Sequence, residues 1–574
     1  MTHTILSTFA LLAGTWTVGW IVVKKLGAKD PFAHIPGPPK DSWLTGNLLT
    51  VLNKDSWDIH VALAKKYGRI ASLHGFLRGR LLYLYDPKAL HHIFVKDQYV
   101  FEETEEFILA NSRLFGMGLL STLGEHHRKQ RKLLNPVFSI AHLRDMTPIF
   151  YGVVHKLQTS MLSLVDEAQG GLVEIDMLSW MTRTALELIG QSGFGYTFDT
   201  LEPDAVHHPF GLAIKNLVRA IKTGGILVAR LLILPYVHKI GSARFQRAIV
   251  DALPWKALHE LRDMADVMHN TSMEILAATK RSLEDGQDVS KRIGGGKDIM
   301  STLLKANEAA SEEDRLPESE LLAQISTLSF AGMDTTSNAL ARILQVLSDE
   351  REVQDELRQE ICNAHNEKGG DLDYDTLMAL PLLDAVCRET LRVWPPIPLL
   401  ARHVRSDIVL TLSEPVPTVG GGMTSEIFIP KGTKVLVPIM HCNRDPKIWG
   451  PDAAEWKPKR WFTPLPETVA KARVPGVYSH MMTFIGGGRA CIGFKFAELE
   501  MKVVLSVLLQ SFCFAPSGKH TIWELNGIIQ PTTENAELTS VGEKKLQLPL
   551  LVSLADPALH PSSIEAPSFL SAPI

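Results

Sequence analysis

One of the chain's five cysteines, Cys491, lies in the stretch FIGGGRACIGFKFAELEMK, Phe484 to Lys502. It falls between a glycine-rich bend and an apolar helical face of Phe494, Ala497, Met501, Val504 and Leu508. At the mouth of a helix, free N–H groups and aligned peptide dipoles favour an anion, which biases a thiol toward thiolate. Gly487 and Gly493 let backbone amides approach the sulfur and a flat ligand. Arg489 is suited to pair with a carboxylate. A thiolate that accepts backbone hydrogen bonds beside a fixed cation is a soft ligand for iron. The competing reading of any single cysteine is a small core residue. The others are Cys362, Cys387, Cys442 and Cys513, with no C-x-x-C and an odd total, which excludes a zinc framework or a disulfide scaffold.

Three further stretches place polar residues on helical patterns. ETLR sets Glu389 and Arg392 three apart among Leu382, Leu383, Ala385, Val386 and Leu391. A charge pair there is buried and needs full pairing, unless it is an ordinary surface ion pair. FAGMDTT, Phe330 to Thr336, puts Gly332 inside a helix at a cost of about 1 kcal/mol relative to Ala. Thr335 can bond back to the Ala331 carbonyl and disturb the ladder, and a local rule broken in mid-helix marks function. The plain alternative for Asp334 is a solvated residue on a core helix. GEHHRKQRKLLNPVF, from Gly124, spaces His127 and Arg131 so that both can donate to one carboxylate, and it shows no metal-ligand spacing.

The elements that must hold these residues are mostly helical. Apolar periodicity marks Asp251–Glu284, Glu318–Asp349 and Arg351–Lys368. Strand-like runs are short: Arg69–Phe76, Arg80–Asp86, Thr433–Met440 and Leu546–Leu554. This predicts a mainly α fold with a small β-sheet portion, one domain over 40–554. The net charge of −4 gives no sign of nucleic-acid binding. Residues 4–23 carry no charge and are long enough to span a bilayer, and Lys24 and Lys25 follow. They read as a transmembrane anchor with the body in the cytosol, a cleaved signal peptide being the rival. Residues 24–39 then form a basic, proline-rich linker, and 555–574 a disordered tail. His207 to Ile240 is very apolar and reads either as buried helices or as a cap that dips into the membrane.

The pattern Phe484, Gly487, Arg489, Cys491, Gly493 resembles the haem-binding loop of the cytochrome P-450 family, the haem-thiolate monooxygenases, in the style of fungal microsomal members. The other motifs stand in family order from Pro36 to about Ala555. The resemblance implies the family's single-domain fold and haem b with Cys491 as the axial iron ligand. Phe484, Gly487, Arg489 and Gly493 would shape its pocket. His127, where the family has Trp, Arg131, and Arg402 after PPIPLLA would meet the haem propionates. Glu389, Arg392 and Arg460 of WKPKRW match the structural triad, and Asp334 and Thr335 match the acid–alcohol pair that delivers protons.

The implied reaction uses dioxygen and NADPH electrons, delivered through an NADPH–haemoprotein reductase and in some cases a b-type cytochrome. The partner surface implied is basic: Lys129, Lys132, Lys457, Lys459, Lys495 and Lys502 flank the motifs. Phe107, Ile108, Leu109, Leu328, Phe330, Ala331, Ile397, Leu399 and Leu400 are the candidate pocket residues. They suit a lipophilic substrate such as a terpenoid, sterol, fatty acid or xenobiotic of secondary metabolism. The implied location is the endoplasmic reticulum membrane. A haem-thiolate isomerase or dehydratase, or a non-catalytic haem-binding protein, is the alternative.

Overall fold

The computed structural model describes residues 30–76, 79–168, 171–284, 296–539 and 542–555. Helices dominate, with a five-stranded sheet and three small sheets. The larger sheet orders its strands Ile70–His74, Arg80–Leu84, Lys434–Val437, Leu400–Val404 and Phe101–Glu102. Strand and helix boundaries follow the periodicity closely. Glu318–Asp349 and Arg351–Lys368 are single helices over the predicted spans. Asp251–Glu284 is divided instead: one helix ends at Ala252 and the next begins at Lys256. Pro254 forces Leu253 into the extended region, so the helix cannot run through.

The core lies around the helix Glu318–Asp349, hereafter the central helix, most of whose side chains are buried. It packs against Met177–Leu188, Lys256–Glu284, Pro381–Val393 and Phe494–Ser511, the last being the helix that follows Cys491. That loop helix buries Leu499, Val503, Leu505 and Leu508 completely. Each such side chain contributes roughly 1.5–3 kcal/mol relative to exposure. The loop carrying Cys491 is therefore anchored on a rigid element.

The anchor predicted at 4–23 lies outside the described residues, as do the first part of the linker and residues 556–574. Among the described residues no helix is long and apolar enough to cross a membrane. The described half of the linker is not a free spacer. Phe32 and Ile35 are buried, and the Pro36 carbonyl accepts from Ser72 N–H at 2.9 Å, so this segment packs on the sheet. In the apolar stretch after His207, Pro209–Lys222 buries Phe210, Ile214 and Leu217. The segment that follows buries Ile226 but leaves Ile233, Tyr236, Val237 and Ile240 exposed, so the buried-helix reading fails at the far end of the stretch.

Candidate active site

The bend before Cys491 is built by close backbone packing. Gly487 has φ +70°, and a Cβ there would stand 1.7 Å from the Phe94 carbonyl oxygen. No side chain fits, so glycine is required twice over. Ile485 is held at φ +47°, an uncommon conformation for a β-branched residue. Phe484 closes the turn by accepting from Cys491 N–H at 2.9 Å, and its ring packs on Tyr478 and Phe494. Gly493 caps the loop helix, and its N–H donates to the Cys491 sulfur.

Four of the five cysteines are buried; Cys491 alone keeps partial exposure. Burial still dominates its chemistry. It pushes the thiol up, against the Gly493 amide and the Arg131 charge, which pull it down. The helix mouth alone therefore does not give a thiolate. A cation on the sulfur is needed to displace the proton. Cys387, by contrast, is pushed up to about 12 in a wholly enclosed site.

Beside the loop lies a cavity of about 360 Å³ lined by His127, Arg128, Arg131, Lys132 and Arg489, with Glu102 among them. Arg131 donates to the Ala490 carbonyl at 2.5 Å, and Arg489 to Thr122 O at 2.7 Å and Glu102 at 3.1 Å. His127 is buried, and burial together with Arg489 and Arg131 pushes it down to about 3, so it is a neutral imidazole. Its neighbour His126 bonds Glu320 instead. Arg402 lies outside this lining. It is buried, ion-paired to Glu103 at 2.9 Å and stacked over Phe94.

The central helix keeps an unbroken α-helical ladder through FAGMDTT, contrary to the expected disturbance. The Thr335 hydroxyl does donate to Ala331 O, at 2.7 Å. A Cβ on Gly332 would make only ordinary contact with Ile189 at 3.8 Å, so steric need does not explain this glycine. What distinguishes the segment is accessibility: Ala331 is exposed, and Phe330, Gly332 and Thr335 are half-buried, in the middle of an otherwise buried stretch.

Asp334 does not share that face. It is fully buried, paired with Lys215 at 2.7 Å and held by Gln530 at 3.0 Å and Asn338 at 3.1 Å. The structure thus separates the acid from the alcohol. Lys215 and Gln530 were missed because they lie 119 and 196 positions away, with no local signal.

Glu389 and Arg392 are both fully buried and doubly bonded at 2.8 Å. Arg460 joins at 3.3 Å. Trp461 Nε1 at 3.1 Å and Lys457 N–H at 3.0 Å complete the shell around Glu389. Trp461 was legible, being adjacent to Arg460 in WKPKRW, but its indole was not assigned this partner.

A model of the cytochrome P-450 family matches residues 36–536. The chain belongs to the cytochrome P-450 family. It is 49% identical over 525 residues to cytochrome P-450 monooxygenase 91 of Postia placenta, covering 91% of this chain and 95% of that one. Cytochrome P-450 monooxygenase 81 of the same fungus is 48% identical over 544 residues, 95% and 97% of the two chains. A ganoderic acid synthetase of Ganoderma lucidum is 41% identical over 529 residues, 91% and 95%.

As a P-450, the chain is a haem monooxygenase whose iron takes a cysteine thiolate and whose electrons come from a reductase. The residues present fit that group. One partly exposed cysteine has a backbone amide favouring its thiolate, cations and a neutral imidazole line the adjoining cavity, and one mid-helix segment opens its Ala, Gly and Thr.

Of the six lysines proposed as a docking face, Lys502 is excluded. It is fully buried between Asp384 at 2.8 Å and Glu498 at 3.3 Å. Glu498, four positions earlier on the same helix, was legible as a partner, whereas Asp384, 118 positions away, was not.

Proposed function

We propose that this P-450 is anchored in the endoplasmic reticulum membrane by residues 4–23 and oxidises a lipophilic small molecule of secondary metabolism. Cys491 would hold the iron in this reading. The carrying observation is that Cys491 is the one cysteine that is not wholly buried as a residue and that has the Gly493 amide and the Arg131 charge favouring its anion. The Ganoderma relative, named for ganoderic acid synthesis, supports placing the substrate among lipophilic secondary metabolites. The exposed Ile233, Tyr236 and Ile240 suit a body resting on a membrane.

The bound haem supplies dioxygen activation and insertion of one oxygen atom into a substrate bond, with the thiolate favouring O–O cleavage. The chain's own residues do the rest. The Gly493 amide orients the sulfur. Arg131, Arg489 and neutral His127 would receive the propionates, and Arg402 would join them only on release from Glu103. Phe107, Ile108, Leu109, Phe330, Ile397 and Leu399, all half-buried, orient an apolar substrate and exclude water. Thr335 holds a proton at Oγ1 on the accessible face. Asp334, paired with Lys215 on the buried face, would join this relay only by turning from Lys215 and taking up a proton itself.

NADPH-dependent oxygen uptake with the reductase tests the reading, and substrate-induced shifts of the Soret band over a lipid and terpenoid library narrow the ligand. Absence of oxygen uptake with every shifting ligand would favour the isomerase alternative. Thr335→Val keeps the packing volume and removes the hydroxyl. It is expected to lower product formed per NADPH consumed by about a hundredfold, with the electrons recovered as hydrogen peroxide. Product yield unchanged would take the proton role from Thr335.

The docking face reduces to exposed or half-exposed lysines. Lys129 and Lys495 make no ion pair among the described residues, and Lys132 pairs with Asp314 at the surface. The triple variant Lys129→Glu, Lys132→Glu, Lys495→Glu is expected to slow reduction by the reductase about tenfold at low salt, the gap closing at high salt. Stopped-flow reduction under both conditions checks this, and equal rates remove the docking role.

A further inference from the structure

Two cations beside the pocket elements lack a counterion. Lys222 ends the helix Pro209–Lys222, and Arg230 lies in the next helix, Gly224–Leu232. Neither has a carboxylate within ion-pair distance among the described residues. The Nζ of Lys222 donates only a long bond, 3.4 Å, to the Leu525 carbonyl, and Gly527 leaves it room: a Cβ there would lie 3.5 Å from that nitrogen. The Nε of Arg230 is buried with no partner. Burial and mutual repulsion push Lys222 down to about 8, and burial lowers Arg230 as well.

Among the described residues, Glu524 and Glu106, the acids nearest the pair, are committed elsewhere. Glu524 takes Lys54 at 2.6 Å, Arg219 at 2.7 Å and Asn526 at 2.8 Å. Glu106, which acts on Arg230 through space, is bonded to Lys434. His60 faces Lys222 but bonds the Tyr83 hydroxyl and the Val51 carbonyl, and it is pushed down to about 4, so it is neutral. Buried charges without partners are costly, and an incoming anion removes that cost.

The pair's position indicates which anion. The helix Gly224–Leu232 packs on Glu105–Leu114, the carrier of Phe107, Ile108 and Leu109. The Leu525–Gly527 turn leads into the strand Ile529–Thr533, which packs on the central helix and bonds Pro396 beside Ile397. Lys215, two turns before Lys222 on the same helical face, is bonded to Asp334 of the central helix. Lys222 is therefore about 10 Å further along from that contact.

We infer that Lys222 and Arg230 bind the carboxylate of an amphipathic acid substrate whose apolar body runs toward the central helix. This rests on the monooxygenase reading above and narrows its substrate class. A charge-assisted bond to two cations holds one end of the molecule, and oxidation falls on a carbon remote from the acid.

The test uses the full-length, haem-loaded protein in phosphatidylcholine nanodiscs. Hexadecanoic acid and abietic acid are each titrated beside the methyl ester, read by the Soret shift. The acids are expected to bind about tenfold tighter than the esters. The double variant Lys222→Gln, Arg230→Gln should erase that preference and leave ester binding unchanged, which also shows that it folds. Equal binding of acid and ester by the unaltered protein overturns the inference, as does a preference that survives in the double variant. Loss of binding to phosphatidylserine vesicles with the acid preference intact would assign the pair to lipid headgroups and overturn it too. The reduced carbon-monoxide spectrum of the same samples separates the two levels. A missing thiolate-type band fails the monooxygenase reading, whereas an intact band with no acid preference fails only this one.

Discussion

Cys491→Ser is expected to abolish monooxygenase activity and to remove the red-shifted Soret band of the thiolate-ligated, reduced, carbon-monoxide-bound haem. The substitution changes one atom for a slightly smaller one, so it leaves no sizeable cavity and keeps the bend fixed by Gly487 and the Phe484 carbonyl. The Gly493 amide still has an acceptor to bond. A hydroxyl, however, is a harder ligand that holds its proton far more tightly, and it cannot push electron density as sulfur does. The thermal midpoint of the haem-free protein should be nearly that of the unaltered chain, which separates a ligation defect from a folding defect. A thiolate-type band in the variant would remove Cys491 from the iron and, with it, the assignment of the whole site.

Much of this site could be read from the chain because its parts are local. The loop, the ETLR pair and the FAGMDTT segment each lie within one element, where spacing fixes which side chains share a face. What sequence could not supply was the set of partners brought in by the fold. Adjacent residues on a helix diverge by about 100°. Asp334 and Thr335 therefore face different surroundings, and only the packing of Pro209–Lys222 and Ile529–Thr533 on the central helix decides which faces are closed. Lys502 teaches the same lesson in reverse. A lysine on a sequence that flanks the motif is solvated by default, yet Asp384 and Glu498 draw this one into the interior. The thiol is a third case: the helix mouth favours thiolate, but burial, invisible to spacing, outweighs it.

Glu389→Gln is expected to cost about 3–5 kcal/mol, a large share of the roughly 5–15 kcal/mol that holds a typical domain folded. Glu389 is a fully buried acceptor for Arg392 through two bonds, for Arg460, for the Trp461 indole and for the Lys457 amide. Glutamine preserves the shape but removes the charge, and it turns an NH2 toward a group that is itself a donor. Arg392 would then be a buried cation held only by the carbonyls of Asn443, Ala453 and Glu455. Those carbonyls belong to the segment that leads to WKPKRW, so the helix Pro381–Val393 and that segment should come apart together. Asp375→Asn is the fitting comparison. Its ion pair with Arg144 is just as short at 2.8 Å but exposed on both sides, and such pairs are worth about 0–1 kcal/mol. Thermal unfolding of the haem-free and haem-loaded forms of both variants decides the matter. If Glu389→Gln lowers the midpoint no more than Asp375→Asn does, burial has not made this network a structural joint. If it lowers the midpoint only in the haem-loaded form, the triad braces the cofactor rather than the fold. The expected result is a large drop in both forms, because the bonds that the substitution breaks are all made by the chain to itself.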